Sequence, residues 1–174
     1  MATIVKLPPA PAEIAVCRDM SVLAPGFRSR SEHLLARMGE LGHPCFVAET
    51  LRTPERQRFL WGFGREYDDG RGVVTHSRDA DETWHGFGLA VDIVHRGLWW
   101  NAPASFWRSL EEEAERLGLT SGADWDRDDS TRSQFKDLPH VQFGPPMRRS
   151  PSPRAARLRA AGGLPAVWAE VGAI

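Results

Sequence analysis

Apolar residues recur along the chain in two rhythms. Between Ser29 and Leu41 the residues Leu34, Leu35, Met38 and Leu41 follow a helical period, which predicts a helix with Gly42 as its stop. Ser105 to Leu117 repeats the pattern through Phe106, Leu110, Ala114 and Leu117, and Gly118 closes it. Thr53 is a good N-cap and Pro54 a good first helical residue, so a third helix is expected from there to Gly62 or Arg65, with Gln57, Leu60 and Trp61 on its inner side. Short apolar runs of strand length lie between these helices: Cys45 to Ala48, Val73 to Thr75, Leu89 to Val94 and a start at Leu119-Thr120. Pro139 forces Leu138 to be extended, so Asp137 to Phe143 enters a strand rather than a helix. Helices mixed with short strands and few clean βαβ units predict an α+β fold.

The flanks read differently. Pro8, Pro9 and Pro11 disfavour regular structure, so residues 1–22 are expected to form an N-terminal arm. Pro25-Gly26 punctuates the entry to the main domain, residues 23–146, and Gly144-Pro145-Pro146 ends it. Residues 147–174 carry Arg148, Arg149, Arg154, Arg157 and Arg159, then a short amphipathic pattern from Leu164 to Val171. They are expected to be a basic helical tail, its arginines a solvated face or a hold on an anionic envelope surface.

Composition narrows the picture. A chain of 174 residues with 41% hydrophobic and 26% charged residues suits one soluble domain with short appendages. A formal net charge of -1 argues against a globally basic nucleic-acid binder, and no nucleic-acid partner is expected. No apolar stretch reaches the length of a membrane span, and the N-terminus shows no Sec-type signal. Synthesis in the cytoplasm without a signal peptide is therefore expected. Cys17 and Cys45 form no CxxC pair, which excludes thiolate zinc sites and a disulfide framework; both read as small buried apolar residues. Seven tryptophans are many for this length. Trp84, Phe87, Trp99 and Trp100 are candidates for a groove border, with a core role equally open.

One stretch carries candidate chemistry. Asp92 sits inside the apolar run that ends at Val94, where a carboxylate is costly to bury unless a cation, a metal or donors meet it. His85 lies at the loop end of the same segment, and His140 starts the later strand. Together they offer the imidazole and carboxylate ligands zinc takes when thiolates are absent. A carboxylate that is not a ligand can then act as base and acid, and Asp137 is placed for that. Arg52 follows a strand end, where a guanidinium can clamp a carboxylate, and Gln57 lies on the helix beyond it. Each residue also has a bland reading. A loop histidine can be merely hydrogen-bonded, Asp92 a buried structural carboxylate, Asp137 a turn cap and Arg52 a surface ion pair. His33, His43, His76 and His95 are taken as structural.

At these residues the chain resembles the M15 family of zinc peptidases, and within it the L-alanyl-D-glutamate endopeptidase branch found in phage endolysins and some bacterial cell-wall enzymes. The family pattern reads here as Arg52-Thr53 with Gln57, then Gly64-Arg65, then Thr83-Trp84-His85-Gly86-Phe87-Gly88-Leu89-Ala90-Val91-Asp92, then Asp137-Leu138-Pro139-His140. The order and approximate separations agree over roughly residues 23–145. Thr83 stands where the family has serine, and Gly86 where many members have asparagine.

The resemblance implies a small antiparallel sheet with helices packed around a single zinc site. It implies one zinc ion per chain on His85, Asp92 and His140, Asp137 as general base and acid, and Arg52, Gln57 and Thr83 as substrate contacts. It implies a monomeric peptidase of peptidoglycan stem peptides, cutting L-Ala–D-Glu, that reaches the cell wall by holin- or secretion-system-dependent release. A D-Ala–D-Ala carboxypeptidase or dipeptidase of the same fold, and a non-catalytic zinc-stabilised virion or binding module, are the alternatives.

Overall fold

A computed structural model describes residues 14–126, 136–145, 148 and 150–174. Of the segments assigned above, residues 1–13 of the arm, 127–135 of the loop before Lys136, and Pro146, Met147 and Arg149 lie outside the described residues.

Four helices and four strands follow one another as α1 (Pro25–Glu40), β1 (Cys45–Glu49), α2 (Pro54–Gly62), β2 (Ala90–His95), α3 (Ala104–Arg116), β3 (Thr120–Ser121), β4 (His140–Gln142) and α4 (Ala155–Val171). The strands form one antiparallel sheet in the order β1-β2-β4-β3. This is the α+β architecture expected from the pattern, with the small antiparallel sheet that the resemblance implied.

The helix starts follow local chemistry. Thr53 Oγ1 accepts from the Arg56 backbone N–H at 3.1 Å, and Pro54 opens α2. α1 also opens on a proline, Pro25, four residues before the expected start. Val73 to Thr75, expected to be a strand, is irregular, with Val73 and Val74 48% and 42% exposed. Among the described residues it pairs with no strand, and a strand without a ladder partner leaves its backbone to water.

Register decides which residues share a face, because side chains alternate along a strand. Asp92 pairs with His140 and, across a bulge after Val47, with Glu49. These residues and Gln142, two further along β4, therefore project from one face. Val91, Ile93 and Val141 project from the other and are fully buried, together with Phe106 and Leu110 of α3. The His95 ring, on that second face, meets Phe106 of α3 edge-on at 5.4 Å.

α4 contains the residues expected as a tail. Its helix is interrupted at Gly162-Gly163, where Gly163 has φ +70°, and Pro165 follows. Val167, Ala155 and Ala173 are buried in the same cluster as Phe27, Phe87 and Val91. The Trp168 indole N–H donates to the Phe87 carbonyl at 2.7 Å, and the Gly26 N–H donates to the Ala173 carbonyl at 2.9 Å. Arg159 donates to the Gly86 carbonyl at 3.1 Å and pairs with Asp81 at 2.6 Å. No helix among the described residues is long and apolar enough to cross a membrane.

Candidate metal centre

His85 sits in a single 3-10 turn, Trp84–Phe87, between Thr83 and Gly88. Thr83 Oγ1 caps that turn by accepting from the Gly86 N–H at 3.1 Å, and it donates to the Ala80 carbonyl at 3.1 Å. A side chain on Gly86 would put its Cβ 2.0 Å from the Ala80 carbonyl oxygen, which accounts for glycine at this position. Gly88 ends the turn at φ +65°, and the chain passes directly into β2 and Asp92. β4 begins at His140, opposite Asp92.

These elements bring His85, Asp92 and His140 together. His85 Nε2 lies 3.2 Å from Asp92 Oδ1 and 3.2 Å from His140 Nδ1, and His140 Nδ1 lies 3.4 Å from Asp92 Oδ1. The opposite ring nitrogens fix the tautomers. His85 Nδ1 is 2.6 Å from the Thr50 carbonyl, which can only accept, so Nδ1 carries the proton. His140 Nε2 is 3.0 Å from Gln142 Oε1. The Gln142 amide nitrogen donates to the carbonyls of Gly144 and Pro145 at 3.1 and 2.8 Å, so the oxygen must face the ring and His140 Nε2 carries its proton. With their other nitrogens engaged in this way, His85 Nε2 and His140 Nδ1 both face Asp92 Oδ1.

A shared cation is one way to hold three such atoms together, and its geometry can be compared with theirs. Bonds of about 2.0–2.1 Å to a tetrahedral zinc ion place the ligand atoms about 3.3–3.4 Å apart, which is the spacing found. Each histidine is also held through its other N–H by an oxygen, the usual support of a metal-binding imidazole. The residues fit a divalent metal with three protein ligands.

Asp92 is held on its other oxygen. Arg52 Nη2 donates to Oδ2 at 2.8 Å, and Arg52 Nε donates to Glu49 Oε2 at 2.7 Å. Burial raises the cost of charge on Asp92, yet His85 and Arg52 beside it hold its carboxyl well below the ordinary range. Asp137 goes the other way: burial, with the Asp92 carboxylate second, pushes it above the ordinary 3.8. Its carboxyl also feels His140, Arg52 and His85, which oppose the rise. A cation on the triad would pull it back down. Gly122 keeps Asp137 close: the Asp137 N–H donates to the Gly122 carbonyl at 3.1 Å, and a Cβ on Gly122 would sit 2.1 Å from the Asp137 carbonyl oxygen.

The other residues singled out in the sequence take these positions. Gln57 is fully buried; its amide nitrogen donates to Thr75 Oγ1 at 3.2 Å and to the Ser77 carbonyl at 2.6 Å, holding the loop that precedes Thr83. Trp84 and Phe87 lie in the core, whereas Trp99 and Trp100 are stacked on each other and 42% and 57% exposed. Trp125 adds an aromatic wall 4.9 Å from the His140 ring. Three partners were not singled out: Glu49, the Thr50 carbonyl and Gln142. Gln142 had a signal, because alternation along β4 puts it on the face of His140. Glu49 ends an apolar strand one turn before Arg52, but nothing in the sequence shows the bulge that aligns it with Asp92.

No protein-family model matches the chain. No curated protein matches it either. Solved structures do. A variant of the vancomycin resistance D,D-pentapeptidase VanY from a VanB-type resistance cassette, in complex with Zn(II), aligns with a TM-score of 0.50 at 20% identity, over 82% of this chain and 87% of that one. VanYB in complex with D-alanine-D-alanine aligns with a TM-score of 0.50 at 19% identity, over 78% and 81%. The Serratia marcescens L-Ala D-Glu endopeptidase ChiX aligns with a TM-score of 0.47 at 18% identity, over 72% and 83%. The fold that the resemblance led us to expect, that of the M15 zinc peptidases, is thus the fold this chain shares with the VanY structures.

Proposed function

We propose that this protein is a zinc-dependent peptidase of peptidoglycan stem peptides. The observation that carries the reading is the convergence of three ligand atoms, His85 Nε2, Asp92 Oδ1 and His140 Nδ1, at 3.2–3.4 Å from one another. The likeness to a Zn(II) complex of a D,D-pentapeptidase supports the same metal and the same class of substrate. Zinc held there would polarise a peptide carbonyl and lower the pKa of a water molecule beside it.

The protein's own residues supply the rest. Asp137 takes the proton from the attacking water and passes it to the leaving amine. Arg52, Gln57 and Thr83 shape the substrate side. Arg52 meets the stem-peptide carboxylate beside the scissile bond, Gln57 holds the loop at Ser77, and Thr83 fixes the turn that presents His85. The bond we favour is L-Ala–D-Glu, on the sequence pattern running from Arg52 to His140. VanYB bound to D-alanine-D-alanine favours a second reading, cleavage next to a terminal D-alanine. Both put a carboxylate next to the cut.

Incubation of purified protein and zinc with peptidoglycan tests this reading. New amino termini should appear, EDTA should abolish them, and mass spectrometry of the muropeptides should show which bond was cut. Asp137→Asn should keep zinc at wild-type affinity and lose on the order of 10²–10⁴-fold in rate. Intact wall fragments at saturating zinc would rule the activity out, and loss of zinc from Asp137→Asn would make Asp137 a ligand.

A further inference from the structure

Glu49 is 6% exposed, and each of its oxygens takes a guanidinium. Oε2 accepts from Arg52 Nε at 2.7 Å, and Oε1 accepts from Arg56 Nε at 2.8 Å. Arg56 reaches on to the Ile14 carbonyl at 3.3 Å, and Arg52 reaches on to Asp92 Oδ2 at 2.8 Å. Charges therefore alternate from Arg56 through Glu49 and Arg52 to Asp92. The bulge in β1 between Val47 and Glu49 sets Glu49 opposite Asp92, so two carboxylates project from one face and Arg52 forms the bridge between them.

A buried network of this kind is a poor source of stability, because desolvating four charges offsets most of their attraction. Its geometry does something more specific. Arg52 occupies Asp92 Oδ2 and leaves only Oδ1 facing His85 and His140. A guanidinium fork gripped at Nε by Glu49 is fixed in direction, whereas a long side chain gripped at one point alone can swing. The metal ligand then depends on a residue that never touches the metal.

We propose that Glu49 is a positioning residue of the metal centre: through Arg52 it holds Asp92 to single-oxygen ligation. This rests on the zinc reading above. Replacing Glu49 frees Arg52 from its second anchor and lets Asp92 turn its other oxygen inward. The expected effect is the 10- to 100-fold loss of metal affinity typical when such a supporting partner is removed.

The test is a double-mutant cycle read by zinc affinity, with Glu49→Gln, Arg52→Met and the double variant titrated against a chelating dye. Cobalt(II) absorption reports coordination number in parallel. Glu49→Gln alone should weaken zinc binding at least tenfold and lower the intensity of the visible cobalt bands, as four-coordinate metal gives way to five-coordinate. In the Arg52→Met background the same replacement should cost no further affinity, because the two act as one unit. A merely structural Glu49 would instead give additive losses or an unchanged cobalt spectrum, and either result overturns the proposal. So does a Glu49→Gln protein that binds zinc within twofold of wild type. Circular dichroism checks folding; should Glu49→Gln not fold, Arg52→Lys takes its place. An ammonium cannot bridge both carboxylates as the fork does, so that variant should show the same loss of affinity and the same cobalt change, and wild-type values would overturn the proposal. Absence of zinc binding by the wild-type protein would refute the metal reading itself, which separates the two failures.

Discussion

At the scale of single residues, the proposed ligands and their supports differ in how openly they stand in the sequence. Asp92 draws the eye because a carboxylate is costly in an apolar strand, whereas His85, Asp137 and His140 each have a bland reading alone and stand out as a set through the motif resemblance. Gln142 does neither, since a glutamine in a short strand carries no such cost. Yet its oxygen engages His140 Nε2 and so leaves Nδ1 to face the centre, and its amide is itself fixed by the carbonyls of Gly144 and Pro145. Gln142→Leu keeps the volume and removes both links. His140 then loses the partner that sets its tautomer, and the leucine leaves two carbonyls without their donor. Zinc affinity should fall about 10- to 100-fold in a competition titration. Retention of wild-type affinity would mean that the β4 backbone alone orients His140.

At the scale of elements, the helices were the easier part to read. Their apolar periods and caps are local, and α2 and α3 fall within a residue or so of the expected bounds at their starts. The strands depend on partners far away in the chain, which is why Val73 to Thr75 has strand-like residues and no strand. The α2 start shows how a local signal reaches the site. Thr53 caps the helix on which Arg56 and Gln57 sit, and those two residues hold Glu49 and the Ser77 loop. Thr53→Ala should destabilise the fold by about 1 kcal/mol in urea unfolding. Catalytic turnover should drop with it only if α2 frays enough to release Arg56. A stability loss with unchanged turnover would confine the cap to folding.

At the scale of the whole molecule, the candidate metal centre is assembled from pieces far apart in sequence. His85 hangs on a turn whose carbonyls at Gly86 and Phe87 are taken by Arg159 and Trp168 of α4, near the far end of the chain. Asp92 and His140 come from neighbouring strands, and Thr50 and Arg52 come from the loop after β1. Such a centre exists only in the folded chain, so a metal that binds it must stabilise the fold by mass action. At zinc one hundred times its dissociation constant the gain is about 2.7 kcal/mol. For a chain of this size that corresponds to a rise in melting temperature of about 5–11 °C. Calorimetry with and without EDTA should show this shift. His140→Ala should abolish it, because removal of one of three ligands leaves too weak a site to couple to folding. Asp137→Asn should leave it intact, because Asp137 is proposed as the general base and not as a ligand. The same two variants are therefore expected to be equally inactive and to melt differently, and an equal zinc shift in both would place the metal somewhere other than on His85, Asp92 and His140.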